Sequence, residues 1–258
     1  MHGSAAPTAI DPEMLMLAYR SGIFPMADSR EDDELFWVEP RHRAILPLDG
    51  FQLSKSLART LRRGRFTVTC NRAFAEVMLA CAGPRRDGGG TWISGRIEAS
   101  YNRLNALGQA HSIECWHGEQ LVGGLYGVGF DRVFCGESMF SRAPDASKVA
   151  LAWLVAALRQ AGATLLDCQF MTDHLASLGA VEISQADYLE RLRAAQSSTE
   201  GEGAAEAEGL GDGLADGLGA GAALALPEGF AALLADSAGA GLSSSPGNFI
   251  AQSLTQTS

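Results

Sequence analysis

His111-Ser112-Ile113-Glu114-Cys115-Trp116-His117, Leu121-Val122-Gly123-Gly124-Leu125-Tyr126-Gly127-Val128 and Arg132-Val133-Phe134-Cys135-Gly136 follow one another closely. Only short turn-forming stretches around Gly118-Glu119 and Gly129-Phe130-Asp131 separate them. The three runs predict short strands joined by tight turns, an antiparallel meander. On the C-terminal side, Asp145 is expected to cap a long apolar helix, Ser147–Gln160. Strand Thr164–Gln169, a helical turn near Asp173–Leu178 and strand Ala180–Ile183 follow. The capping box Ser184-x-x-Asp187 then opens a last helix to about Ala194. The order β-β-β-α-β-α-β-α describes a mixed α/β sheet and lacks the strict alternation of a doubly wound parallel fold.

On the N-terminal side, Asp11-Pro12-Glu13 opens a helix that runs through Met14–Arg20 and stops at Gly22, with Asp as cap and Pro in the first turn. Leu35–Val38 and Ala44–Pro47 are β-rich, but Pro40 and Pro47 confine them to edge strands or loops. Ser54 caps a second helix that ends at Gly64, Phe66–Cys70 reads as a strand, and Asn71 is expected to cap a helix through Ala82. Arg85–Gly90 reads as a loop, followed by a helix over roughly Ile97–Leu107.

The 258 residues and 47% hydrophobic content suit one large domain, or a small domain joined to a larger one. No run of about 18 uncharged apolar residues occurs, so no membrane-spanning helix is expected. The first 25 residues do not read as a signal peptide. Five scattered cysteines (Cys70, Cys81, Cys115, Cys135, Cys168) without a CxxC pair suggest reduced, buried thiols in the cytoplasm. The net charge is −10, yet Gln196 onward holds eight acidic residues and no basic one, while residues 51–103 hold ten basic against three acidic. A basic region of that density can bind a polyanion locally. Residues 196–246 are rich in Gly and Ala and read as disordered, apart from a short helix over Ala222–Ala235. The apolar stretch Gly247–Leu254 is expected to dock back onto the fold.

Several motifs stand together in order. They are Tyr19-Arg20-Ser21-Gly22-Ile23-Phe24-Pro25, Gly90-Thr91-Trp92-Ile93, Ala110-His111-Ser112-Ile113-Glu114 and Leu121–Val128. Phe134-Cys135-Gly136-Glu137-Ser138-Met139-Phe140-Ser141, Asp145-Ala146-Ser147-Lys148, Leu166-Asp167-Cys168-Gln169 and His174–Ala180 complete the set. Taken together they closely resemble the bacterial leucyl/phenylalanyl-tRNA–protein transferases over about residues 11–195, and Phe249–Ser258 resembles the tail of some members. The resemblance implies an α+β fold: a small N-terminal subdomain (1–50) and a mixed α/β domain like that of the GNAT acetyltransferases (51–195). A low-complexity acidic segment (196–246) and a C-terminal tail (247–258) follow. It also implies transfer of Leu, Phe or less often Met from aminoacyl-tRNA to the N-terminal Arg or Lys of an acceptor protein, marking it for N-degron proteolysis. No cofactor and no metal are implied. A cytoplasmic monomer without membrane association is expected.

The resemblance assigns Asp167 and Gln169 as the catalytic pair. Their i, i+2 spacing on a strand predicts that both face one way, with Asp167 polarising or positioning Gln169, which contacts the attacking amine. Glu137 is assigned to the acceptor site, where a carboxylate suits a guanidinium or ammonium. The donor side chain is expected among Leu125, Phe134, Met139, Leu151 and Leu166. Leu125 and Leu166 stand where the family pattern has Met and Ile. Trp37, Trp92 and Tyr101 are candidates for stacking on the terminal adenosine of tRNA. Lys55, Arg59, Arg62 and Arg63 share one helix face and are candidates for phosphate contacts. The glycines of Gly123–Gly127 lack the Gly-Lys-Ser/Thr of a phosphate loop and suggest close backbone approach to a ligand. His42, His111, His117 and His174 lack metal-ligand spacing, and His111 and His174 read as structural.

Two other readings exist. A GNAT-type acyl-CoA transferase would carry a glycine-rich loop where Arg142–Ser147 has none. A non-catalytic tRNA-binding module would not need Asp167.

Overall fold

The meander is the centre of a seven-stranded sheet in the computed structural model, which describes residues 8–83, 90–197, 222–241 and 246–255. Strands β5 (Ala110–His117), β6 (Gln120–Phe130) and β7 (Val133–Ser141) pair antiparallel in register with the two predicted turns. β4 (Thr67–Cys70) joins one edge. On the other side lie β8 (Leu165–Gln169), β3 (His42–Ile45) and β9 (Val181–Ser184), giving the order β4-β5-β6-β7-β8-β3-β9. The β7–β8 pair is parallel and the other pairs are antiparallel. β1 (Phe24–Met26) and β2 (Phe36–Val38) form a separate hairpin.

β3 corrects one expectation. It is hydrogen-bonded on both sides, to β8 and β9, and so is neither an edge strand nor part of a separate N-terminal unit. Pro40 and Pro47 lie just outside it, where their missing N–H groups interrupt no ladder.

Helices cover both faces. On one face lie α1 (Pro12–Arg20), α3 (Phe74–Ala82), α4 (Gly95–Ala106) and α7 (Gln185–Gln196), which share a core with Tyr126, Val128, Cys135 and Leu165 of the sheet. On the other lies α5 (Ala146–Gln160), packed on Ile113, Leu125, Phe134 and Leu166 together with α2 (Lys55–Arg62). α5 is buried over nearly its whole circumference, and such a helix needs a cover on its outer side. That cover is α8 (Leu226–Gly239) and α9 (Pro246–Ser253). Phe230 of α8 packs on Trp153 with ring centroids 5.3 Å apart. Gly229 lets α8 approach closely, because a Cβ there would sit 2.5 Å from the Ala157 carbonyl. The short helix expected over Ala222–Ala235 is α8, shifted a few residues toward the C-terminus, where its leucines and Phe230 find apolar surface. The span 198–221 lies outside the described residues, as does most of the Arg85–Gly90 loop. Among the described residues no helix is long and apolar enough to cross a membrane.

Asp11, Ser54 and Ser184 accept hydrogen bonds from the first turns of α1, α2 and α7 as expected. Two predicted caps behave otherwise. Asn71 has φ 56° and accepts from the Ser112 N–H, leaving Glu114 of β5 to accept from Ala73 N–H at the start of α3. Asp145 has φ 68° and makes no cap bond, and Ser141 Oγ accepts from Ser147 N–H instead. Both replacements come from neighbouring strands that local sequence does not reveal.

Candidate active site

The site forms where β7 and β8 part. Their parallel ladder runs Val133↔Leu165, Phe134↔Leu166, Cys135↔Asp167 and ends there. Beyond it, β7 stays with β6 while β8 pairs with β3, Gln169 lying opposite Ala44. A β-bulge sits at this point: Tyr126 faces Ser138 and Gly127 faces Gly136, so Glu137 is the extra residue. Bulges re-aim side chains at such positions. The gap opens as a cavity of about 430 Å3.

Its body is apolar. Leu125, Met139, Leu151 and Leu166 line it, together with Leu154 and Leu175. Phe134, expected among them, does not line it. It is fully buried in the core beneath, its ring against Gly127. The Gly123–Gly127 run likewise approaches the protein's own atoms: Cβ atoms at 123 and 127 would collide with Ala146 and with Cys135 and Phe134. This replaces the expected approach to a ligand. Phe24, Met26, Trp92 and Phe170 supply further apolar and aromatic lining.

Glu137 and Gln169 stand in the cavity wall. Gln169 Nε2 donates to Glu137 Oε1 at 2.8 Å, and Tyr19 Oη donates to the same oxygen at 2.7 Å. Tyr101 Oη approaches Oε2 at 3.3 Å and also meets the Tyr19 hydroxyl, so its single proton serves one of these two contacts at a time. Glu137 thus meets only neutral donors in this cluster. Burial pushes its carboxyl up to about 8, against the opposing effect of the bonds from Tyr19 and Tyr101.

Asp167 is placed differently. It is completely buried and does not line the cavity. Arg43, also buried, donates from Nε at 2.9 Å to Oδ1 and from Nη2 at 2.5 Å to Oδ2, and Tyr188 Oη donates to Oδ2 at 3.0 Å. Arg43 Nη1 reaches the Gly22 carbonyl at 2.9 Å, and its guanidinium lies over the rings of Phe24 and Tyr188. Burial opposes the Arg43 charge, but attraction to Asp167 outweighs it and raises its pKa.

Asp167 engages Gln169 through the backbone rather than through its side chain. Asp167 Oδ1 accepts from the Gln169 backbone N–H at 2.7 Å. Gln169 has φ 62°, a left-handed conformation uncommon for a non-glycine residue. Strain of this kind, on the order of 1–3 kcal/mol, persists only where the surroundings impose it. Asp167 imposes it, and Arg43 fixes Asp167. The turn delivers the Gln169 amide to Glu137. Simple strand alternation omits this step.

Of the three aromatic candidates for stacking, Trp92 lines the cavity. Trp37 is exposed on β2 and does not line it. Tyr101 is completely buried against Tyr19 and Tyr126 and has no face for a base. Lys55, Arg59 and Arg62 of α2 and Arg63, which caps its C-terminus, are all exposed, and the opposite face of α2 buries Leu57, Ala58 and Leu61. Residue-by-residue reading missed Arg43, Tyr188, Tyr19 and Tyr126, and it read His174, which lines the cavity, as structural. Tyr19, Tyr126 and His174 lie inside the quoted motifs, which was the available signal. Arg43 carried only its place ahead of Ala44-Ile45-Leu46.

These features define a mixed α/β enzyme fold that can hold a small apolar group beside a buried acid–amide pair. Comparison with known proteins makes the class specific. Residues 45–193 match the model of the leucyl/phenylalanyl-tRNA protein transferase family, and residues 8–41 match that family's N-terminal domain. The leucyl/phenylalanyl-tRNA–protein transferase of Novosphingobium aromaticivorans is 66% identical over 98% of both chains. Those of Rhizorhabdus wittichii and Zymomonas mobilis are 58% and 59% identical, over 76% and 73% of this chain and 79% and 70% of their own. The chain belongs to the leucyl/phenylalanyl-tRNA–protein transferase family and is an aminoacyltransferase.

Proposed function

We propose that this protein transfers Leu or Phe, and less readily Met, from aminoacyl-tRNA to the N-terminal Arg or Lys of an acceptor protein, marking that protein for N-degron proteolysis in the cytoplasm. The observation that carries the reading is the Glu137–Gln169 pair on the wall of an otherwise apolar cavity. The cavity body suits an unbranched-β apolar side chain. An aminoacyl ester becomes an amide in the reaction, so no nucleotide triphosphate is required.

A cationic acceptor brings the positive charge that Glu137 lacks. Its arrival favours the ionised carboxylate. The acceptor's α-amine has a reference pKa of about 7.7–8.0, so a neutral fraction exists near pH 7. Gln169 orients that amine, and proximity to the ester carbon supplies much of the rate. Asp167, held away from the cavity, is a positioning residue acting through the backbone of Gln169. The exposed cations of α2 suit the tRNA backbone, and Trp92 suits its terminal base.

The test is a transfer assay with Leu-, Phe-, Met- and Arg-tRNA against peptides beginning with Arg, Lys or Ala. Transfer of Leu and Phe, and weaker transfer of Met, to Arg- and Lys-peptides alone is expected. Transfer from Arg-tRNA, or equal use of Ala-peptides, would refute the reading. Reversing the charges of Arg59 and Arg63 should lower the slope of log affinity for tRNA against log salt by about 1–2. An unchanged slope removes this helix from the tRNA path.

A further inference from the structure

Among the described residues, two polar atoms of cavity-lining residues are buried without a hydrogen-bond partner: Tyr126 Oη and His174 Nε2. A polar atom sealed from water and left unpaired costs on the order of 1–3 kcal/mol. Three more such atoms, Arg96 Nε, Gln109 Oε1 and His111 Nε2, belong to residues outside the cavity lining, so Tyr126 and His174 are the ones that a ligand in the cavity could partner. Their surroundings differ. Tyr126 stands in the cluster of Glu137 and Tyr101, and the Glu137 charge acts on its hydroxyl. His174 lies on the short helix α6 (Asp173–Ala176), among the Thr172, Leu175 and Leu151 lining, and the charge on Lys148 of α5 acts on it. The acid–amide pair and His174 therefore line the same cavity from different elements, with Glu137 available to become negative when a cation binds beside it.

Amide formation in this cavity develops charge of opposite sign on two atoms. The lone pair of the acceptor's neutral α-amine forms the new C–N bond. The carbonyl π pair moves onto oxygen, which becomes an oxyanion. Collapse restores the C=O bond and breaks the bond to the ribose oxygen, which leaves with its electron pair. The proton lost by nitrogen ends on that ribose oxygen. Ester and amine give amide and alcohol, with nothing oxidised or reduced. The nitrogen becomes more positive during attack and belongs beside Glu137 and Gln169. The carbonyl oxygen becomes more negative and needs a donor away from that carboxylate.

We propose that His174 is a catalytic residue, its Nε2–H donating to the ester carbonyl oxygen and stabilising the oxyanion, with Lys148 reinforcing the local positive potential. The proposal rests on the reading that an aminoacyl ester occupies this cavity. Burial, and secondarily Lys148, lower the pKa of the imidazole. A neutral ring with its proton on Nε2 is a donor that does not compete for the amine's proton.

The experiment is single-turnover transfer from Phe-tRNA to an Arg-initiated peptide, with Phe-tRNA affinity measured separately. His174→Ala is expected to slow the chemical step by about 100-fold or more, with Phe-tRNA affinity within about threefold of wild type. His174→Gln, which keeps a side-chain N–H, is expected to recover at least about tenfold over His174→Leu, which has none. A His174→Ala rate within about threefold of wild type, or a loss carried wholly by affinity, overturns the proposal. Should His174→Ala not fold by circular dichroism, equal rates for the Gln and Leu variants overturn it instead. Absence of transfer by the wild-type protein would overturn the underlying functional reading, an outcome distinct from a wild-type enzyme indifferent to residue 174.

Discussion

Asp167 and Glu137 are two carboxylates withdrawn from water near the point where β8 and β7 separate. The first receives a guanidinium, a phenol and a backbone amide, and it does not line the cavity. The second receives two phenols and a side-chain amide, all neutral, and stands in the cavity wall. The charge of Asp167 is matched within the fold, whereas that of Glu137 is left for a ligand to match. Burial has the same physical sign in both places, and the partner decides the consequence. One carboxylate fixes the backbone, and the other stays responsive to what binds.

The largest effect should come from breaking the matched pair. Arg43→Ala leaves Asp167 buried without its counter-charge and should destabilise the protein by about 3–5 kcal/mol. Urea unfolding measures it. A loss below about 1 kcal/mol would mean that Asp167 is not held by this pair and would dissolve the contrast.

The unmatched acid should respond to pH rather than collapse the fold. Its folded pKa of about 8 lies above its ordinary value of 4.5, so its contribution to stability is fully present below about 4.5 and is lost as pH rises through about 8. Glu137→Gln should therefore gain on wild type with rising pH, by at most about 1.4 kcal/mol per pH unit across that window. Thermal unfolding of both proteins from pH 5 to 9 reads the difference. Parallel curves would show that Glu137 is matched after all. The same substitution should weaken binding of an Arg-initiated peptide. In the wild type that affinity should fall as pH drops below about 8, and the variant should lose this dependence on residue 137.

The smallest effect sharpens the contrast. Tyr19→Phe removes one neutral donor to Glu137 and should lower stability at pH 9 by about 1–2 kcal/mol, with less loss at pH 6, where the acid is protonated. Tyr188→Phe removes a comparable bond from Asp167, and its loss should be the same at both pH values because Arg43 still balances the charge. Equal pH sensitivity of the two variants would erase the distinction.

Much of the framework was legible locally. The meander, the capping residues Asp11, Ser54 and Ser184, and the basic face of α2 are short-range features written in residue type and spacing. Burial of Tyr101, which removes it from stacking, depends on α1 and β6 meeting α4. The place of β3 inside the sheet depends on strands that come more than a hundred residues later. α8 and α9 lie after low-complexity sequence, and their value appears only once α5 needs a cover.

Sequence by itself determined the family, the element order and the residue types that the chemistry requires, because ordered motifs and hydrophobic periodicity are properties of the chain. Tertiary structure alone decided which acid is neutralised and which is not. Arg43 lies 124 residues from Asp167, and Glu137 acquires its character from an environment assembled by three separate elements. Electrostatic character depends on burial and on the nearest opposite charge, and both are set by distances in space that position along the chain does not encode.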